Sequence, residues 1–306
     1  MMAQPYKFII ELHAPKNPEN IPNYVNTKKN LFSHTKSVSI ASKSFCDSIS
    51  GFDFSYNLAS YLLDRDGALD ILFHVTCYDL NMVTIRTRLT LLKQLGIKKI
   101  LVVSGDMYEQ SSNIRLRKLQ YANSHELAGV ILRDFNWFDS IGVAGYPGGN
   151  GKDSSNDEEE CDRLAGVLQL GVREVYTQCV FDSKSFGEFS RIFGRRFPAV
   201  GLVPSVALFK SLSNLELISK LTRVTNVAVK SLEGSLKTLS LQEAEFYSIS
   251  FIEGLCLDLL HSFSKRPIKI DLCTFGHFDL AQTLMDRLSK LDRTKVTDIW
   301  VETLVE

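Results

Sequence analysis

A closed (βα)8 barrel of the α/β class, forming one domain over residues 1–306, is the fold this chain predicts, and three observations carry that expectation. Eight short apolar runs recur near 7–11, 36–41, 69–75, 98–103, 140–145, 173–178, 198–203 and 267–273. Segments of helical period separate them, with no hairpin signal between any two. Seven runs end in a polar, glycine or proline residue: Glu11, His74, Gly105-Asp106, Tyr146-Pro147, Gln178, Pro204 and Thr274. Around a barrel of parallel strands all such ends meet on one face, and that face carries the chemistry. An open doubly wound sheet is the second architecture the pattern allows.

The helical segments follow in order. Over 81–95, Met82, Ile85, Leu89 and Leu92 share one stripe, and Leu127, Val130 and Ile131 do so over 124–133. The stretches 158–170, 185–193, 207–221, 241–263 and 278–288 have the same period. Asp79 and Asn81 stand as caps before one helix, and Asp182-Ser183 before another. Two connections stand out. Residues 107–119 are polar, and 145–160 begin glycine-rich and turn acidic with Asp153, Asp157, Glu158, Glu159 and Glu160. The acidic run reads as a solvated first helical turn favoured by the helix dipole.

Composition narrows the function. Thirty-five basic residues balance thirty-five acidic ones, so no net field draws the chain to nucleic acid or an anionic membrane. No stretch of about 18 apolar residues exists to span a bilayer. The N-terminus lacks a secretory pattern, which gives a cytoplasmic expectation with mitochondrial import left open. Cys46, Cys77, Cys161, Cys179, Cys256 and Cys273 are scattered without pairing. They read as reduced, buried small hydrophobes, and no metal-ligand spacing is seen.

Several strand ends carry chemistry, each with a plainer reading beside it. Glu11 interrupts an apolar strand at its exit, so burial is expected to raise its pKa and let it hold a proton near neutrality. The alternative is a structural carboxylate paired with a buried cation. Asp106 is either a fixed charge beside a ring or a turn cap. Gln178 suits the edge of an amide-like heterocycle or a loop backbone. His74 is a site residue or a satisfied core histidine. The run Gly145-Tyr146-Pro147-Gly148-Gly149-Asn150-Gly151-Lys152 has neither phosphate-loop nor dinucleotide glycine spacing. It can still admit a flat ring or a pyrophosphate close to the backbone, or simply be a flexible loop.

Taken in order, these strings resemble the catalytic domain of the methylenetetrahydrofolate reductase family. The resemblance rests on Phe8-Ile9-Ile10-Glu11 with Pro15, Phe73-His74-Val75-Thr76-Cys77-Tyr78-Asp79, and 92–106. Tyr121-Ala122, 141–147, 171–182 and Gly201-Leu202-Val203-Pro204 complete it. It implies a barrel that uses FAD and NADH or NADPH to reduce methylenetetrahydrofolate to methyltetrahydrofolate in one-carbon and methionine metabolism. In it Glu11 matches the general acid that opens the folate ring. Asp106 matches the residue tuning flavin and folate, and Gln178 one that contacts both folate and nicotinamide. Ser39, His74, Gly105, Asp106, Tyr121, Ala122, Tyr146 and Asn150 fall where the family lines its FAD pocket. Self-association is a further expectation from the family.

The chain also departs from the family. Met107-Tyr108-Glu109-Gln110 replace a Pro/Gly-rich turn, and Ser104 stands where an arginine is usual. Leu164-Ala165-Gly166-Val167 lack the basic residue that neutralises the FAD pyrophosphate, a role Arg163 or Lys152 is left to fill. Asn150, Cys273 and His277 replace a histidine, a tyrosine and an arginine. Two further classes therefore stand beside the reductase. One is a non-catalytic paralogue serving as a folate-binding or assembly subunit, and the other a flavin barrel with a different substrate. The chain stops soon after the eighth βα unit, so no regulatory domain for S-adenosylmethionine is expected. Adding S-adenosylmethionine should leave activity and melting temperature unchanged, which a thermal-shift titration checks.

Overall fold

Eight parallel strands pair in chain order and close on themselves, as the computed structural model of the chain describes for residues 6–41, 50–77, 81–104, 123–151, 153–262 and 268–290. They are β1 (Tyr6–His13), β2 (Ser37–Ala41), β3 (Asp70–Thr76), β4 (Lys99–Val103), β5 (Ser140–Gly145), β6 (Glu174–Cys179), β7 (Gly201–Ala207) and β8 (Ile268–Cys273). The result is a TIM-type barrel, as the strand spacing predicts. Two short helices, α1 (Ile21–Asn26) and α2 (Leu31–His34), lie between β1 and β2. Among the described residues, α3 (Ser50–Arg65), α4 (Met82–Gln94), α5 (Ser124–Asp134), α6 (Asp157–Gln169) and α7 (Ser183–Arg196) follow the next five strands in turn. Three helices, α8 (Leu212–Thr222), α9 (Val227–Leu236) and α10 (Leu241–Ser262), fill the β7–β8 connection, and α11 (Phe278–Lys290) follows β8.

The helices form because their apolar positions recur at helical spacing and their first turns are capped. Ile85, Leu89 and Leu92 bury the α4 stripe, and Phe186, Phe189 and Phe193 bury that of α7. Each such phenylalanine contributes about 1.5–3 kcal/mol in transfer terms. Asn81, Asn123, Asn156, Asp182, Ser211 and Asn226 each accept a hydrogen bond from a first-turn N–H, which satisfies an otherwise orphaned donor. Among the described residues no helix is long and apolar enough to cross a membrane.

Two expectations shift. The pattern predicts a strand over 198–203 ended by Pro204, with a helix from 207. The strand instead runs through Pro204 to Ala207, and α8 starts at Leu212. A proline fits here because the β6–β7 ladder is already broken: the register slips between Tyr176 and Cys179. Ser205 N–H finds the Thr177 hydroxyl at 3.2 Å instead of a ladder carbonyl. The β7–β8 segment also holds α9, which the periodic runs do not separate.

Alternation along the strands sorts the interior into layers. Ile9, Leu72, Leu101, Tyr176 and Val203 form an apolar cluster distinct from the core beneath the helices. Two residues earlier on these strands lies a charged floor at the N-terminal mouth. Lys7 and Lys99 reach Asp70 Oδ2 at 2.6 and 2.8 Å, Lys269 pairs with Glu174, and the Tyr176 hydroxyl donates to Glu174 at 2.9 Å. Two residues later on β1 and β3 lie Glu11 and His74, while on β6 the register slip sets Cys179 opposite Ser205. Gly142 leaves the space that the Tyr176 ring fills, since a Cβ there would sit 2.9 Å from the ring. Because that ring is tethered through its hydroxyl, G142A should destabilise the protein by about 1–3 kcal/mol, measured by urea denaturation.

Candidate active site

Barrel closure brings β1 and β8 side by side, with Ile9 opposite Asp271 and Ile10 opposite Leu272. The next rung sets Glu11 beside Cys273. Glu11 Oε1 lies 3.1 Å from His13 Nε2, and Glu11 Oε2 lies 3.9 Å from Cys273 Sγ. The same sulfur lies 3.9 Å from Asp271 Oδ2, which also accepts from the Ser205 hydroxyl at 3.3 Å. Asp271 is 3% exposed and its Oδ1 has no hydrogen-bond partner. Thr274, fully buried, donates its hydroxyl to the Glu11 carbonyl at 3.0 Å and fixes the end of β1.

On the other side of Glu11, β2 and β3 supply a buried pair. Ser39 Oγ lies 3.2 Å from His74 Nε2. Burial pushes the His74 imidazole down to about 4, so the ring is neutral at physiological pH. His74 is thus both a satisfied buried histidine and a neighbour of Glu11. Gln178, half-buried at the β6 slip, accepts the Cys179 N–H at 3.0 Å through its side-chain carbonyl. That leaves its NH2, a donor, as the group it offers a ligand. Gly105, Asp106, Tyr121 and Ala122 lie outside the described residues, as do Asp79, Lys152, Cys46 and the loop 107–119.

Glu11 does not carry the raised pKa expected of it. Burial acts to raise it, but the His13 hydrogen bond and charge, the nearby His74 and the Cys273 thiol outweigh burial and hold the carboxyl below its ordinary value. Asp271 goes the other way. Burial first, then the charge of Glu11, lift it well above the usual carboxylate range. Cys273 is raised well above a normal thiol, first by its hydrogen bond with the Cys179 thiol and then by burial. The donor atoms of Glu11, Asp271 and Cys273 all lie within 4.8 Å of one another. A cation entering there would have to displace the protons of Asp271 and Cys273.

The glycine-rich loop after β5 is built differently from its sequence reading. Its backbone N–H groups turn to its own chain: Tyr146 to Glu160 at 2.9 Å, Gly148 to Asp157 at 2.7 Å and Gly149 to the Tyr146 carbonyl at 2.8 Å. Asn150 N–H bonds the Ser154 hydroxyl at 3.0 Å, and Gly151 N–H the Ser154 carbonyl at 2.9 Å. These five backbone donors are therefore engaged within the loop itself. Gly149 has φ +91, and a Cβ there would meet the Ser154 carbonyl at 2.6 Å, so only glycine fits. The Asn150 carbonyl accepts from Asp153 N–H at 2.6 Å and Ser154 N–H at 3.2 Å, which organises the loop.

Beneath the loop, Glu160 is fully buried and takes four donors. Arg163 binds both oxygens, at 2.5 and 2.8 Å, and Tyr146 N–H and the Ser154 hydroxyl complete the set. Arg163 also reaches His125 at 2.7 Å and the Ala144 carbonyl at 3.0 Å, and lies 5.3 Å over the Tyr146 ring. Its charge is therefore paired with Glu160. The acidic run is likewise not wholly a solvated turn, because its last member is this buried anchor. Removing either partner of such a buried pair costs about 3–5 kcal/mol.

His13, Ser205 and Asp271 escape the sequence reading, and Cys179 and Cys273 enter it as buried cysteines and, for Cys273, as a departure from the family, not as site residues. Cys77, Cys161 and Cys256 are buried, reduced cysteines as expected, raised by burial to about 11, 11 and 12. The lowered His74 has a consequence for stability. An unfolded histidine takes a proton below about 6.5, while the folded ring resists until about 4, so stability is lost as pH falls through that window. The loss attributable to His74 reaches about 3 kcal/mol at pH 4. H74N should flatten this acid limb in denaturation midpoints collected across pH.

Residues 3–294 match the family model described as methylenetetrahydrofolate reductase. A probable methylenetetrahydrofolate reductase (NADPH) of Caenorhabditis elegans is 23% identical over 221 residues, 71% of this chain and 32% of that protein. Methylenetetrahydrofolate reductase 2 of Schizosaccharomyces pombe is 23% identical over 178 residues, 56% of this chain and 28% of that protein. The chain thus spans roughly a third of the length of these relatives. Among solved structures, an uncharacterized protein from Clostridium thermocellum that binds two copies of 5-methyl-5,6,7,8-tetrahydrofolic acid matches with TM-score 0.65 at 12% identity, over 92% of this chain and 95% of that one. Dihydropteroate synthase from Xanthomonas albilineans, in complex with 7,8-dihydropteroate, matches with TM-score 0.50 at 9% identity, over 94% of each chain. At such identities the structural matches establish the barrel alone. The family match covers nearly the whole chain, and the chain belongs to the methylenetetrahydrofolate reductase family.

Proposed function

We propose that this chain reduces 5,10-methylenetetrahydrofolate to 5-methyltetrahydrofolate, using FAD and either NADH or NADPH, as a step of one-carbon and methionine metabolism. The observation that carries this reading is Glu11. In a family-matched barrel it stands at the C-terminal end of β1, 12% exposed, with His13, Ser39–His74 and Gln178 around the same mouth. Ser39 and His74 offer hydroxyl and imidazole groups, which suit the polar edge of a flavin ring, and Gln178 offers an amide suited to folate or nicotinamide. The phosphate end gains no cation from Arg163. When bound, the flavin would supply the hydride.

The chain's own residues have separable tasks in this reading. Glu11 gives a proton to a nitrogen of the folate's five-membered ring, which opens it. His13 orients the Glu11 carboxyl through its 3.1 Å contact. Neutral His74 keeps a positive charge away from the cation that ring opening creates. Gln178 donates through its NH2 to whichever ligand, folate or nicotinamide, occupies the site. Asp106 would add fixed negative charge beside the ring. A non-catalytic, folate-binding paralogue is the second reading, and the engagement of Arg163 with Glu160 favours it.

Colour and half-reactions decide between the two. The purified protein should be yellow and bleach when mixed anaerobically with NADH or NADPH. E11Q should bleach at a rate within about twofold of the parent, while reoxidation by methylenetetrahydrofolate slows by about 10²-fold or more. A colourless protein that still binds methyltetrahydrofolate would favour the non-catalytic reading. Equal loss of both half-reactions would remove Glu11 from its assigned role.

A further inference from the structure

Asp271 and Glu11 place two carboxyls either side of one thiol, inside a water-poor barrel. The groups against Asp271 are Glu11 from β1, Tyr176 from β6, the non-titrating Ser205 hydroxyl from β7 and Cys273 on its own strand, with Cys179 of β6 beside Cys273 and with His13 and His74 beside Glu11. None of these is a lysine or an arginine. Two carboxyls so placed cannot both ionise without a large cost, so one proton remains on the pair. Glu11 has an imidazole partner at 3.1 Å and some exposure, whereas Asp271 has neither. The unpartnered Asp271 Oδ1 points the same way. An orphaned oxygen on a buried carboxylate is far costlier than one on a neutral acid.

We propose that Asp271 is the proton store of this site, and that the Cys273 thiol passes its proton to Glu11. The inference rests on the reductase reading for its catalytic meaning. Cys273 S–H gives its proton to Glu11 Oε2 as the Asp271 carboxyl gives its own to the sulfur, each across 3.9 Å. The products are a Glu11 acid, an unchanged thiol and an Asp271 carboxylate, so the proton count is kept and no electrons move. A concerted shift suits a thiol whose anion is strongly disfavoured here. Once Glu11 protonates the substrate, two carboxylates face the cation that forms instead of one. Asp271 is in these terms a positioning residue that acts through Glu11, and its raised and Glu11's lowered pKa agree with that order.

Infrared spectroscopy of the full chain tests where the proton sits, independently of any cofactor. At about pH 8, well above ordinary carboxyl pKa values, a protonated-carboxyl stretch should persist. It should shift when aspartate is labelled with ¹³C at its side-chain carboxyl, vanish in D271N and survive in E11Q. Absence of the band, or a band that follows Glu11, overturns the proposal. The labelled parent protein alone decides this if D271N fails to fold. In the folate half-reaction, D271N should be slower by about tenfold or more near neutral pH and recover as pH falls, because Glu11 must then take its proton from solvent. E11Q should not recover. C273A should behave as D271N, and C273S should restore most of the rate through its hydroxyl. A D271N pH profile identical to the parent's, or a C273A profile identical to it, overturns the relay. Failure to bind flavin or folate would sink the reductase reading and leave the infrared result standing.

Discussion

Closure of β8 onto β1 is the constraint on which the rest of the molecule depends. Eight parallel strands have no exposed edge only if the last pairs with the first, and here they meet with Ile9 opposite Asp271. A slip of one residue would turn every side chain of β8 to the opposite face. Lys269 would then leave Glu174 in the floor, and Asp271 and Cys273 would leave the mouth. The same register that completes the hydrogen-bond ladder therefore sets which acids share the interior. Stability and the composition of the site follow from one pairing.

The β5–α6 connection shows a second economy. One buried carboxylate, Glu160, holds the first helical turn, the Tyr146 backbone and Ser154 together through Arg163. A loop that reads as open and glycine-rich is in fact closed by its own hydrogen bonds. Any ligand against it would meet side chains and glycine Cα atoms more than free amide donors.

Much of the barrel was legible because both periods are simple. Strand alternation and helical stripes such as Ile85, Leu89 and Leu92 are local, and the Asn caps sharpen the helix starts. Pro204 misled because its tolerance depends on a ladder break in a neighbouring strand, which no local pattern reveals. Glu11, Ser39, His74 and Gln178 were legible as polar residues at apolar strand ends. Asp271 and Cys179 were not, since they meet Glu11 only through closure, from strands far apart in sequence. The direction of the Glu11 pKa was missed for the same reason. Burial was visible in the apolar run, but the offsetting His13 and His74 contacts required the fold.

The lysine and carboxylate layer beneath the apolar cluster has a bearing on traffic through the molecule. Lys7, Lys99 and Lys269 clasp Asp70 and Glu174 across the base, and a tier of aliphatic groups and one phenol lies directly above them. A vessel stoppered in this way exchanges its contents from one end. Solvent, hydrons and reactants then arrive and depart at the end where Glu11 stands, opposite the lysine layer.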